Sequence, residues 1–196
     1  MVISVKEKTC KVCRAKFISL KPLQAVCGLR CAQSYAWRVK TKTEVDQAKA
    51  ERKEIRAKRE SIKTRSQWIK EAQIAFNSYI RERDKDKPCI SCGVPLEKGQ
   101  IGGGFDCGHF RSVGSAPHLR FGNHAELNAH GQCKRCNRYL SGNAIDYRIR
   151  LVGRIGVSSV ERLEADNEPR KWSIDELKEI ISTYRKKTRE LKNANE

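Results

Sequence analysis

The chain has 196 residues, 38% hydrophobic and 33% charged, which suits one ordinary domain or two small ones and leaves little for a large apolar core. Forty-one Lys and Arg against 23 Asp and Glu give a formal charge of +18, a balance that implies a polyanionic partner. With no 18-residue apolar run, signal peptide or lipid-anchor motif, a membrane partner is not expected and the chain is placed in the cytosol. Nine cysteines in a reducing compartment read as metal ligands rather than disulfides, because eight of them fall into four short-spaced pairs. Cys107 is left over.

The first pair of knuckles, Cys10, Cys13, Cys27 and Cys31, predicts a small zinc finger over residues 1–40, with Cys31 in the first turn of a short helix. A charged helical spacer follows over 41–66, free of Gly and Pro and nearly free of apolar residues before Ile62; a helix polar all round is a solvated rod or faces nucleic acid. The pattern then changes. Trp68, Ala72, Ala75, Phe76, Tyr79 and Ile80 recur at three and four residues, so this helix packs on the module C-terminal to it. Thr64 and Ser66 are its candidate caps, without a capping box to Glu71, and Asp84, Asp86 and Pro88 end it.

Residues 67–196 form the third predicted region. The segment 98–122 reads as two short strands, the first ending near His109 and the second a brief return at Leu119-Arg-Phe121. A helix is expected from just after Cys136 toward Ile149. A last helix is marked by a capping box, Ser173 to Glu176, and by Leu177, Ile181 and Tyr184 in helical period.

The chemistry concentrates between the second pair of knuckles. Cys89, Cys92, Cys133 and Cys136 can close a tetrahedral zinc site, and a thiolate-closed zinc is structural. It pins both ends of an insert that carries all four histidines, His109, His118, His124 and His130. Phosphodiester hydrolysis needs a water, an acceptor for its proton and a cation for the developing charge. A neutral imidazole suits the acceptor's role near pH 7. Oxygen ligands suit Mg²⁺ or Mn²⁺, and Asp106 and Asn137 supply a carboxylate and an amide. Arg111, Arg120, Lys134, Arg135 and Arg138 crowd the same segment as candidate contacts to the DNA backbone, against the plainer reading of a solvated rim. His118 and His124 are expected to face solvent or the backbone.

The ordered set Asp106-Cys-Gly-His109-Phe, Leu119-Arg-Phe121, Asn128-Ala-His130-Gly-Gln-Cys-Lys-Arg-Cys-Asn137 and Ser141-Gly-Asn143 resembles the lambdoid phage NinG (Rap) family, as do Trp68–Asp84 and Trp172. The resemblance implies an α+β fold: a zinc-stapled ββα-metal core of the His-Asn-His (HNH) kind with flanking helices, preceded by the finger and the long charged helix. It also implies a metal-dependent endonuclease of phage recombination that cleaves branched DNA, Holliday junctions and D-loops, in the host-cell cytosol. By that resemblance His109 activates water, Asn128 steadies the loop and orients it, and Asn137 holds the catalytic cation with Asp106, His130 being the next ligand candidate. In many relatives the metal-binding acid directly precedes the histidine; here Cys107 and Gly108 intervene. Symmetric resolution of a junction calls for two active sites, which a homodimer would supply. The rival readings are a non-catalytic zinc protein that binds nucleic acid, and an adaptor contacting phage or host recombination proteins through the finger.

Overall fold

A computed structural model describes residues 7–97 and 104–194. The chain divides into two compact units, residues 1–63 and 64–196. Among the described residues no helix is long and apolar enough to cross a membrane.

The first unit is a finger running into a rod. Strands β1 (Glu7–Thr9) and β2 (Lys16–Ile18) pair antiparallel, Lys8 opposite Phe17. The turn between them carries Cys10 and Cys13. Helix α1 then runs unbroken from Leu29 to Ser61, so the short helix at Cys31 and the charged spacer are one element. Nothing in 29–61 interrupts it, since the stretch lacks Gly and Pro. None of its residues is buried. Exposed pairs at four-residue spacing, such as Arg56–Glu60 at 3.1 Å and Glu54–Lys58 at 3.5 Å, contribute only a few tenths of a kcal/mol each.

The second unit opens on α2 (Arg65–Asp84), capped by Thr64. Thr64 Oγ1 accepts from Gln67 N at 3.3 Å and Gln67 Oε1 accepts from Thr64 N at 2.8 Å. The box that the sequence did not offer with Glu71 is thus made with Gln67. One face of α2 is buried against α6 (Ile174–Asn193), with the Phe76 and Tyr184 rings edge to face at 4.9 Å. The α6 capping box is the predicted one: Ser173 Oγ accepts from Glu176 N, and Glu176 Oε2 from Ser173 N.

Between these helices and the remainder lies an antiparallel ribbon, β3 (Phe105–His109) and β4 (Ala129–Cys133), with Cys107 opposite Gly131 and His109 opposite Ala129. The first predicted strand therefore forms and ends at His109, whereas the glycine-rich run 98–103 lies outside the described residues. The predicted return at Leu119-Arg-Phe121 is overturned: Pro117–Arg120 is a 3₁₀ turn, with Pro at its start, and the returning strand comes later. A short helix α3 (Ala125–Asn128) leads into β4. Alternation along the ribbon sends Cys107 and Ala129 into a core with Phe76, Tyr79 and Trp172. The other face is covered by α4 (Ala144–Ile155) and α5 (Val157–Ala165), whose Tyr147, Leu151, Val160 and Leu163 form a second core with Ile90 and Leu119. The helix expected directly after Cys136 starts later, because Arg135–Tyr139 is a π-helical turn. Ser141, Gly142 and Asn143 then all take positive φ, so the chain reverses before α4.

Candidate functional site

The two four-cysteine sets assemble as the spacing implied. In each, the four sulfur atoms lie within 4.8 Å of one another, and both sets could hold zinc. The Cys27–Cys31 and Cys92–Cys133 sulfurs are each 3.7 Å apart, close to the about 3.8 Å edge of a tetrahedron with Zn–S bonds of about 2.3 Å. Burial opposes ionisation of Cys89, but backbone N–H groups of Cys92, Cys133 and Ser91 outweigh it and bring the thiol down to about 7. Cys107 belongs to neither set. It is buried in the core and its thiol is pushed up to about 12, which keeps it protonated and inert.

The second set is woven into its surroundings. Cys133 N donates to Cys89 Sγ at 3.3 Å, and Asn143 Nδ2 reaches Cys136 Sγ at 3.7 Å and Asp146 Oδ2 at 2.9 Å. Gln132 Nε2 donates to Ser91 Oγ and to Gly142 O, both at 2.6 Å, tying the first knuckle to the reversed loop. These partners, Ser91, Gln132 and Asn143, lie within or beside the sequence motifs, but residue type does not single them out.

Directly on this staple stand Asp106 and Asn137. Asn137 Nδ2 donates to Asp106 Oδ2 at 3.1 Å, and Arg138 grips the same carboxylate with Nε at 2.7 Å and a terminal nitrogen at 2.8 Å. Arg138 is the main reason the Asp106 carboxyl sits below its ordinary range. A cation held by Asp106 and Asn137 would have to displace that guanidinium. Gly108 explains why no acid directly precedes the histidine: a Cβ there would lie 2.1 Å from Gln132 Oε1.

His109 closes β3 on the opposite face, its ring 6.0 Å from that of Phe76. Nε2 is buried without a hydrogen-bond partner. Burial first, and the Arg120 charge second, lower its pKa to about 4 against a hydrogen bond to the Cys107 backbone, so the ring is neutral at pH 7. Arg120 itself donates to Gln73 Oε1 at 2.7 Å and lies over the Phe121 ring. Asn128 is buried, and its side-chain hydrogen bonds go to Arg111 rather than to the histidine. Its amide brackets Arg111, Oδ1 accepting from Arg111 N at 2.8 Å and Nδ2 donating to Arg111 O at 3.0 Å, so it fixes the chain just after His109.

Other residues stand elsewhere than the residue pattern suggested. His130 is 3% exposed, with Nδ1 3.3 Å from Tyr147 Oη. The phenol donates its one proton to Gly108 O at 3.0 Å, so His130 must be the donor in the second bond. Burial lowers the His130 pKa to about 3. Among the described residues, the two cysteine sets are the only groups of three or more His, Cys, Asp or Glu ligand atoms within 4.8 Å, so His130 and Asp106 do not share such a group with a third ligand. Arg111 is turned inward, its guanidinium donating to the carbonyls of Leu163, Glu164 and Asp166 and to Asn167 Oδ1. His118, expected at the surface, is 7% exposed. Arg135 and Arg138 are exposed and Lys134 is half-buried.

Comparison with known proteins decides the family. The model of "Bacteriophage Lambda NinG protein" matches residues 3–196. The chain belongs to the NinG family. Relatives include "Protein ninG" of Escherichia phage lambda, 43% identical over 140 residues, and its namesakes of Salmonella phage P22 (42%) and Escherichia phage 933W (41%). Each alignment covers 71% of this chain, and 65% of the lambda and P22 proteins and 66% of the 933W protein. No solved structure matches.

Proposed function

We propose that this NinG-family protein is a metal-dependent, structure-specific DNA endonuclease with an HNH-like ββα-metal core, acting on branched DNA in phage recombination. The observation that supports this best is the ribbon itself. It ends in a neutral histidine with a free Nε2 and carries Asp106, 3.1 Å from an asparagine fixed by a zinc knuckle. Scaffolding alone has no use for an imidazole nitrogen buried without a partner, because an unmatched buried polar atom costs stability.

In this reading water attacks the phosphorus, its proton passes to His109 Nε2, and the 3′ oxygen departs. The pKa of about 4 leaves Nε2 unprotonated at pH 7, and an incoming phosphate would raise it by opposing the Arg120 charge. Asn128 acts at one remove, by holding the backbone of Arg111. Asp106 and Asn137 would hold Mg²⁺ or Mn²⁺, which would offset charge on the phosphoryl and leaving oxygens. Lys134 and Arg135 are candidate cations for flanking phosphates, and Arg138 would join them on leaving the Asp106 carboxylate. Arg111 is left out of that role. Branched DNA as the substrate class comes from the resemblance in sequence.

The test is cleavage of a labelled four-way junction in Mg²⁺ or Mn²⁺ beside a duplex control, with His109→Ala in parallel. Junction cutting that falls by at least about a hundredfold in the variant, with junction binding kept, is expected. Binding without cutting by the unaltered protein in both metals would leave a zinc scaffold for nucleic acid as the function.

A further inference from the structure

A further group of histidine and carboxylate side chains, outside the two cysteine sets, lies away from the ribbon. His118, His124 and Asp166 meet in a cleft of about 310 Å³, with Glu168, Arg170 and Trp172 on its walls. His118 comes from the 3₁₀ turn, His124 from just before α3, and Asp166 from the end of α5. The turn and α5 belong to one core and are already held together there by Leu119, Val160 and Leu163. That core does not require imidazoles.

His118 is the unusual member. It is 7% exposed, yet neither ring nitrogen makes a hydrogen bond of proper geometry. Nε2 lies 2.9 Å from Asp166 Oδ1, and the other carboxylate oxygen lies 4.0 Å from His124 Nδ1. These separations bracket the about 3.4 Å between neighbouring ligands of a tetrahedral zinc bound at about 2.1 Å. The three ligand atoms do not all lie within 4.8 Å of one another, so a shared ion requires the His124 side chain, 48% exposed, to turn inward. Asp166, by contrast, is fixed: Arg111 donates to its carbonyl and to the side chain of Asn167. Asp166 and Glu168 face the cleft, while Arg170 is paired with Glu176 at 2.6 Å and the Arg111 guanidinium is taken up by backbone carbonyls.

We propose that His118, His124 and Asp166 form a third metal site, taking one divalent transition ion of borderline softness, zinc foremost. Two imidazoles and a carboxylate select zinc over Mg²⁺, which prefers oxygen alone. The fourth position faces the cleft. The ion would clamp the 3₁₀ turn and the entry to α3 onto the end of α5, independently of any cleavage at the ribbon.

The test is the zinc content of the full chain at equilibrium with buffered free Zn²⁺, in the unaltered protein and in His124→Ala, Asp166→Asn and Asp106→Asn. A third equivalent beyond the two cysteine sites is expected, weakened at least about tenfold by His124→Ala or Asp166→Asn and kept in Asp106→Asn. His124→Ala alters a half-exposed side chain, so folding is not at risk; its Tm should lose the upward shift that zinc gives the unaltered chain. Co²⁺ in the same site should absorb without the thiolate charge-transfer band of the cysteine sites. Two equivalents in the unaltered protein at every free-zinc level would overturn the site and leave a His118–Asp166 ion pair. A third equivalent lost in Asp106→Asn and kept in His124→Ala would overturn it too, placing that ion at the ribbon. Because the readout is metal content, this result and the cleavage result can fail separately.

Discussion

The two four-cysteine sets share ligands and geometry but not surroundings. In the finger, Cys13 and Cys27 are exposed and the two strands are three residues long. In the second unit Cys89 and Cys136 are buried and form a cluster with Leu96 and Phe105. The difference teaches that the same staple can be an entire small fold or one knot in a larger core. A zinc ion in the finger would substitute for apolar burial; one in the second unit would register a ribbon that lies between two apolar cores.

The largest expected effect sharpens this contrast. Cys136→Ser should unfold residues 64–196, with zinc coordination of this kind contributing on the order of 10 kcal/mol, whereas Cys13→Ser should release zinc from the finger and leave the melting of 64–196 unchanged. Zinc content and calorimetry of both variants check it; similar melting losses in the two would erase the distinction.

Next in size is the buried ion pair that anchors α2. Asp84 is fully buried, and Arg83 and Lys87 reach it at 2.7 and 2.8 Å while it accepts from Gly131 N at 2.9 Å. Burial alone would raise its pKa; those partners hold it well below the usual carboxylate range. Arg83 also donates to the carbonyls of Glu126 and Ala129. Arg83→Ala should therefore cost about 3 kcal/mol in urea unfolding, since it strands a buried charge. A loss below about 1 kcal/mol would show that Lys87 suffices.

The smallest effect is a pH dependence, and it belongs to one unit because all four histidines lie in 64–196. His130 titrates at about 3 when folded and near 6.5 when unfolded. The unfolded state therefore binds the extra proton first, and stability falls as pH drops from about 6.5 toward about 3. Between pH 6.5 and 5 the loss approaches about 2 kcal/mol. His109, at about 4, adds to it. His130→Gln should flatten the profile of Tm against pH in this window. An unchanged slope would mean that His130 is not buried neutral.

Much of this was readable in the residues, and the exceptions have physical reasons. Knuckle spacing foretold both cysteine sets, and the helical period of Trp68–Ile80 and Leu177–Tyr184 foretold α2 and α6 as helices, though not that they pack on each other. Strand β4 was hidden because Ala129-His-Gly-Gln-Cys has weak β propensity and is buried through Gly131, where a Cβ would lie 2.7 Å from Leu96. At the candidate site, residue types foretold that Asp106 and Asn137 meet. They did not foretell Arg138 on that carboxylate or the inward turn of Arg111, because a charged side chain does not announce whether its partner is solvent, phosphate or its own backbone.

Helix α1 carries a further consequence. Thirty-three residues at about 1.5 Å each make it about 50 Å long, the rise of about fifteen base pairs of duplex at about 3.4 Å per pair. It is a ruler with the finger at its zero mark. Seven inserted residues would lengthen it by about 10 Å while returning its cationic faces almost to their original phase, whereas five would rotate them by about 140°. Length and angle can thus be varied one at a time, and a DNA footprint that follows only the length would read the helix as a spacer.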